Sequence, residues 1–457
     1  MPLRFSRKDT EALVEAVARA EFVKPLQASR REVFRKYGLL GTSKDRVLTA
    51  IVYKLYRRQG VIDKIVLRTL GVSEEFYENL DPRARALLRL TVYFNVFDEV
   101  GDTRLTRAFM EYAKKECCKP GSSLSILLER LQRGVADLSK IKPQDELEEL
   151  EFKYLISRRI LELIQPVLGD ELQAFLESIN EKPWYGLRTN TLKAKTEEIL
   201  EELEEKGVEV KISPYVPTVV KYRVKKDSKL DYESLRCLRE GKAVPQDDSS
   251  ALASILLSPK PGETVADLCA APGGKTTHMA ELMENKGIIH AFDIYDDRIA
   301  RLRELAEKTG TSRIIRVHKM DARNAIDALG AESMDKVLVD PPCSSTGALA
   351  KHPDAKWRLK GDELNKLVKL QTELLDTAVQ LVRPGGRILY TVCSILPQEG
   401  EEVVSRVLQK YREHLKLIPL NKPFEPSNIL SGTMRAWPHK HETTGFFYAL
   451  LEKTKPL

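Results

Sequence analysis

The 457-residue chain predicts an α/β architecture, a doubly wound parallel sheet over residues 241–457, preceded by a small α+β segment (151–240) and an all-α segment (1–140). Three observations lead there. Beyond Glu240, short apolar runs alternate with amphipathic stretches, the rhythm of strand and crossover helix. Residues 151–235 mix helical and strand periodicities, and from Asp9 to about Lys140 the apolar residues recur at helical spacing alone.

In the first segment Val47, Ala50, Ile51 and Leu55, then Ile62, Ile65, Val66 and Leu70, fall at helical spacing. Asp81-Pro82 has the signature of a helix start, with a capping carboxylate and a pre-set φ. Lys119-Pro120-Gly121-Ser122-Ser123 reads as a break between helices. Residues 1–140 hold 27 Lys and Arg against 18 Asp and Glu, so this segment carries the positive excess of a chain whose net charge is +7. A basic segment suits a phosphate-bearing partner as well as it suits a solvated surface. At 139–149 the sequence turns polar and acidic, SKIKPQDELEE, without the spacing of a core element, and a boundary is expected there.

The second segment predicts a helix near Ile156–Leu168, a strand at Tyr185–Arg188, a helix at Thr196–Lys206 and strands at Val208–Ile212 and Val219–Val224. The third predicts strands at Thr264–Leu268, Ile288–Phe292, Ile314–His318, Lys336–Val339 and Arg387–Thr391, with helices between them. In such sheets ligands collect outside the carboxyl ends of the strands, so the residues that follow each strand are the candidates.

Composition narrows the classes. The six cysteines, at 117, 118, 237, 269, 343 and 393, form neither a CxxC pair nor a zinc-like cluster nor a disulfide framework, so a reducing cytoplasm and no metal are expected. No stretch approaches 18 uninterrupted apolar residues and the start lacks an apolar h-region, so the expectation is a soluble chain with no membrane partner. The 31% charged content, rich in Lys and Glu, is typical of heat-adapted proteins.

After the first strand comes Asp267-Leu268-Cys269-Ala270-Ala271-Pro272-Gly273-Gly274-Lys275-Thr276, then a helix. Paired glycines let a ligand approach the backbone, and the helix start offers free N–H groups. The pattern is neither GxGxxG nor a P-loop, which counts against dinucleotides and nucleoside triphosphates. Asp293 ends the second strand, where a carboxylate can accept from both hydroxyls of a ribose, and Asp321 follows the third, where an adenine amino group can be met; both also suit simple capping roles. The fourth strand leads into Asp340-Pro341-Pro342-Cys343-Ser344-Ser345 and the fifth into Thr391-Val392-Cys393-Ser394. A lone cysteine is ordinarily a small buried hydrophobe, but two at one rim of one sheet are not so easily set aside. They suit methylation of carbon 5 of cytosine: a thiolate adding at carbon 6 makes carbon 5 nucleophilic, and a second cysteine with a carboxylate assists activation and release.

The strings 267–276, Asp340–Ser344 and Val392–Ser394 together resemble the Sun/RsmB (NSUN-like) family of RNA cytosine-5 methyltransferases. So do Leu187-Arg188-Thr189-Asn190-Thr191-Leu192, Gln246–Ser250, Arg435-Ala436-Trp437-Pro438-His439 and Gly445-Phe446-Phe447. The resemblance implies a Rossmann-like methyltransferase domain. It also implies that Cys269, Ala270, Ala271, Pro272, Gly273, Gly274, Lys275, Asp293, Arg298, Asp321 and Asp340 contact S-adenosylmethionine or organise its site. Cys393 would be the nucleophile, Cys343 would assist product release, and Asp340 would also serve the cytosine through N3. Two positions depart from the family pattern: Val392 stands where Thr is usual, and Thr444 where Asp is.

The first segment is similar to the NusB-like RNA-binding module of the RsmB branch, through Arg46–Tyr53 and Arg57-Arg58-Gln59-Gly60. Arg30, Arg31, Arg35, Lys36, Arg57 and Arg58 are its candidate phosphate contacts. The expected substrate is therefore RNA, ribosomal RNA first and tRNA as the alternative, for a monomeric enzyme. An amino-nitrogen methyltransferase, which also follows Asp-Pro-Pro with another residue, needs no thiol; a non-catalytic RNA-binding assembly factor needs no reactive residues at all.

Overall fold

The computed structural model describes residues 3–23, 26–97, 103–116, 123–134, 143–224, 230 and 232–457. They form two compact units, Met1–Glu162 with His352–Arg358, and Leu163–Lys351 with Leu359–Leu457.

The first unit is helical. Ser43–Arg57 and Gln59–Leu70 bury Leu48, Ile51, Leu55, Ile62, Ile65 and Val66, the faces that the spacing predicts, against Leu13, Val17, Leu88 and Phe109. Asp81 caps Pro82–Val92 as expected, accepting from the Arg83 amide at 2.8 Å. Of the expected break at 119–123, only Ser123 lies within the described residues, and it opens the helix Ser123–Gly134. The acidic stretch at 139–149 also lies partly outside them. Its remainder starts a helix, Glu146–Tyr154, whose Glu148 and Glu151 are buried against Lys64, with Arg68 2.5 Å from Glu148. Acidic residues that look solvated in the sequence thus face inward, each with a cation.

Among the candidate phosphate contacts, Arg30 pairs with Asp45 at 2.6 Å and Lys36 with Glu15 at 2.7 Å, while Arg31 and Arg35 are exposed. Gly60 admits the ring of Trp357, which a Cβ there would meet at 2.1 Å.

The second unit contains two sheets. Strands β1 (Tyr185–Thr189), β2 (Glu209–Ile212), β3 (Val219–Arg223) and β4 (Ala243–Pro245) form an antiparallel sheet in the order β2-β3-β1-β4, and β4 is too short to show in the periodicity. The larger sheet has β5 (Thr264–Asp267), β6 (Ile288–Asp293), β7 (Ile315–Lys319), β8 (Met334–Val339) and β9 (Val382–Val392) as parallel neighbours in the order β9-β8-β5-β6-β7. These are the five strands the sequence predicts. Their order reverses between β5 and β8, the switch point at which ligands bind in such sheets. Val265, Ala266, Ile289, Val337, Leu338, Ile388 and Leu389 are wholly buried, as strands covered by helices on both faces require. Beyond β9 the sheet continues antiparallel through β13 (Phe446–Lys453), with β12 (Met434–Ala436), β11 (Glu425–Pro426) and β10 (Leu415–Ile418) added at that side. Among the described residues no helix is long and apolar enough to cross a membrane, and no group of His, Cys, Asp or Glu is placed to hold a metal ion.

Candidate active site

The loop after β5 turns sharply. The Ala271–Pro272 bond is cis, and Gly273 has φ +105°, a conformation that side chains rarely adopt, immediately before the helix Gly274–Leu282. Ala270 N–H donates to the Phe292 carbonyl at 2.9 Å, and the Arg298 guanidinium donates to the Ala271 carbonyl, so β6 and the helix after it fix the loop. A cavity of about 190 Å³ opens beside it, lined by Cys269, Ala270, Ala271, Pro272, Gly274, Lys275 and Asp340, with Pro245 and Gln246 from the small sheet's side. Asp293 stands at the end of β6, accepting from the Tyr295 amide at 3.1 Å with Arg298 3.6 Å away; neither it nor Asp321 lines that cavity. Asp321 follows β7 but is gripped by Arg323 at 2.7 Å, whose guanidinium holds its carboxyl below the usual range.

Burial pushes Asp267 up to about 6, Asp340 adds to the effect, and the Thr276 hydroxyl, donating at 2.7 Å, opposes it. Burial likewise raises the Cys269 thiol, with Asp267 and Asp340 nearby. Lys275 donates to Asp340 at 2.6 Å; burial pulls its ammonium down, but Asp340 outweighs this and holds it above the ordinary lysine value.

At the ends of neighbouring strands β8 and β9, the sulfurs of Cys343 and Cys393 lie 3.2 Å apart. The pair is asymmetric. The hydrogen bond with Cys343 lowers the pKa of Cys393, with help from Ser345 and the Lys275 charge against burial and Asp340. Cys343 is driven the other way, by its neighbour, by burial and by Glu399. Cys393 is therefore the readier thiolate.

Several residues escaped the sequence reading. Glu399 accepts from Ser344 N–H at 2.8 Å, and Gln371 donates to Glu399 at 3.0 Å and to the Pro342 carbonyl at 2.9 Å. Thr346 and Ser394 hydroxyls meet at 2.9 Å, and Gly347 N–H donates to the Cys393 carbonyl at 3.0 Å. The loop holding Cys393 is thus oriented by Thr391, Ser394 and Thr346, and Val392 is buried in the sheet, where no hydroxyl is required. Thr444 donates to Asp247 at 2.5 Å, and Lys351 pairs with that same carboxylate. Arg188, wholly buried, donates to Gln246 at 2.6 Å and pairs with Glu281 on the helix Gly274–Leu282. Asn190 ties the Gly241 and Thr309 carbonyls at 2.8 and 2.9 Å. Arg188, Asn190, Gln246, Asp247, Ser344, Ser394 and Thr444 stood in motifs that gave them no partner, and nothing in the sequence pointed to Glu399, Gln371, Thr346, Lys351 or Glu281.

The sheet order, the glycine turn after its first parallel strand and the acidic strand ends define a Rossmann-like methyltransferase. The family described as 16S rRNA methyltransferase RsmB/F matches residues 254–452, and the RsmF/B-like ferredoxin-like domain matches residues 159–226. Ribosomal RNA small subunit methyltransferase B of Cronobacter sakazakii is 31% identical over 403 residues, 85% of this chain and 88% of that protein. A probable ribosomal RNA small subunit methyltransferase B of Synechocystis is 29% identical over 418 residues, 89% of this chain and 91% of that one. The crystal structure of PH0851 is similar at 41% identity and TM-score 0.84, covering 99% of this chain and 100% of that chain. The chain belongs to the RsmB/F methyltransferase family, in agreement with the resemblance read from its motifs.

Proposed function

We propose that the protein methylates carbon 5 of cytosine in RNA, ribosomal RNA before tRNA, through a covalent bond from Cys393 to the base. The observation that carries this is the pair of unlike thiols 3.2 Å apart at the switch side of the sheet. Amino-nitrogen methylation has no use for such a pair.

S-adenosylmethionine, when bound, supplies a methyl group on an electrophilic sulfonium. The loop 269–275 fits it: the cavity beside the loop combines small residues, Cys269, Ala270, Ala271 and Gly274, with the polar groups of Gln246, Lys275 and Asp340, and the buried Asp267 Oδ1 has no partner among the described residues. We assign Asp293 to the ribose, Arg298 to holding the loop, and Asp321, if Arg323 shares it, to the adenine.

In the reaction, the Cys393 thiolate adds to carbon 6 and the ring's electron pair moves towards carbon 5. Asp340, held by Lys275, is assigned to the N3 edge of the base. Carbon 5, so activated, would then accept the methyl group that the cofactor supplies. The carbon-5 proton departs to a base, the bond from carbon 6 to sulfur breaks, and its pair returns to Cys393 as the ring double bond reforms. Cys343 assists by donating a hydrogen bond to the departing thiolate. RNA is assigned to both the 151–240 and the 1–140 segments, with 241–457 as the catalytic domain of a cytoplasmic enzyme.

The test uses RNA carrying 5-fluorocytosine, with denaturing gels and rRNA and tRNA as substrates. Cys393→Ala should give no RNA-linked protein, whereas Cys343→Ala should accumulate it on ordinary RNA, and both should lose at least about a thousandfold in turnover. Adducts from neither variant nor wild type would overturn covalent catalysis.

A further inference from the structure

We propose that Glu399 is a positioning residue: by holding the Cys343 loop through Ser344 and placing a negative charge beside it, Glu399 keeps Cys343 the thiol of the pair and leaves Cys393 to ionise. This rests on the reading of Cys393 as nucleophile and adds what decides between two adjacent sulfurs.

Glu399 lies between β9 and the helix Glu401–Lys410 and is wholly buried. One carboxylate oxygen accepts from Ser344 N–H at 2.8 Å and from Gln371 at 3.0 Å, and the other from the Ser344 hydroxyl at 2.5 Å. Gln371 also donates to the Pro342 carbonyl at 2.9 Å, so the residues on both sides of Cys343 are tied to this carboxylate. The Glu399 carbonyl in turn accepts from Tyr390 at 2.6 Å. Through the Ser344 hydroxyl, 3.2 Å from that of Ser394, the same cluster reaches the loop that carries Cys393.

Every donor to the carboxylate is neutral, and among the described residues no Lys, Arg or His forms an ion pair with it. An uncompensated buried charge is costly, and its field is weakly screened. The groups facing the two sulfurs are thus unlike. The Glu399 charge acts on Cys343, while Asp340 and the cation Lys275 act on Cys393. An anion at Cys343 would be opposed by the Glu399 charge held on the adjacent Ser344, whereas an anion at Cys393 is offered Lys275 and the Cys343 thiol. If the wrong sulfur ionised, the group meant to donate to the leaving thiolate would have no proton to share.

Glu399→Gln keeps the shape and can still pair with Ser344 and Gln371, but removes the charge. The full-length protein is alkylated with iodoacetamide across pH 6 to 9, and the label at each cysteine is read by peptide mass spectrometry. Wild type should be labelled mainly at Cys393; in Glu399→Gln the ratio of Cys343 to Cys393 labelling should rise at least about threefold, because half a pKa unit is about that factor. Glu399→Asp, which keeps the charge, should restore most of the wild-type ratio. A merely structural role would speed or slow labelling at both cysteines together, and an unchanged ratio overturns the proposal. Should Glu399→Gln not fold, Glu399→Asp carries the test alone: because it keeps the charge, its ratio must stay within about twofold of wild type, and a rise of about threefold or more there overturns the proposal too. Alkylation requires no RNA, so its outcome stands apart from adduct formation, whose absence in wild type would sink the nucleophile reading instead.

Discussion

In the helical unit Arg85 and Arg89 are nearly buried against Glu21, and Arg89 also meets Asp63 at 2.7 Å, so each charge finds an opposite partner. At the rim of the parallel sheet Lys275 meets Asp340, but Asp267 and Glu399 are buried and, among the described residues, neither forms an ion pair, while the two thiols beside them are partly exposed. The first arrangement is inert, since all its capacity is consumed internally. The second leaves groups whose protonation is decided by a few neighbours, which is how a fold keeps a reactive atom ready. Burial alone therefore does not mark a site; burial with incomplete compensation does.

The contrast breaks first if the helical cluster proves dispensable. Arg89→Ala should cost about 3–5 kcal/mol, because it strands Asp63 and Glu21 in the interior; urea unfolding of the full chain measures it, and a loss under about 1 kcal/mol would remove the distinction.

Next in size is the pH signature of Asp267. Its folded-state pKa is raised to about 6 from an ordinary 3.8, so the folded protein holds the proton more tightly than the unfolded chain. That contribution is fully present below the unfolded value and is lost as pH rises through about 6. Wild type should lose about 3 kcal/mol relative to Asp267→Asn between about pH 3 and pH 7. Parallel stability curves for the two proteins would show that the carboxylate is compensated after all.

A smaller effect sharpens the cofactor side. Asp293→Ala should weaken S-adenosylmethionine binding about tenfold in calorimetry, the worth of one charge-assisted hydrogen bond. Unchanged affinity would remove the ribose assignment and leave Asp293 as a partner of Arg298 and the Tyr295 amide. The smallest expected change concerns the exposed cations of the helical unit: Arg31→Glu with Arg35→Glu should reduce the slope of RNA affinity against salt by about one to two, without altering cofactor binding. An identical slope would class these side chains as solvated surface.

The five parallel strands were legible because strands covered on both faces read as continuous apolar runs, as in Val337-Leu338-Val339 and Ile388-Leu389-Tyr390. The short strands β4, β10, β11 and β12 were not, since two to four residues carry no period and are held by their neighbours. The helix Glu146–Tyr154 was missed for a different reason: its inward residues, Glu148 and Glu151, are acidic and belong inside only because Lys64 and Arg68 wait there, some 80 residues away in sequence.

By itself the sequence determined which loops follow which strands and which residue types they bear, Gly273 at a turn that needs φ above zero and cysteines after two adjacent strands. It could not determine that Lys275 belongs to Asp340, that Glu399 stands over the Cys343 loop, or which of the two sulfurs ionises more readily. Those are properties of pairs 50 to 65 residues apart along the chain, set by distance and desolvation, and only the tertiary structure brings the partners together.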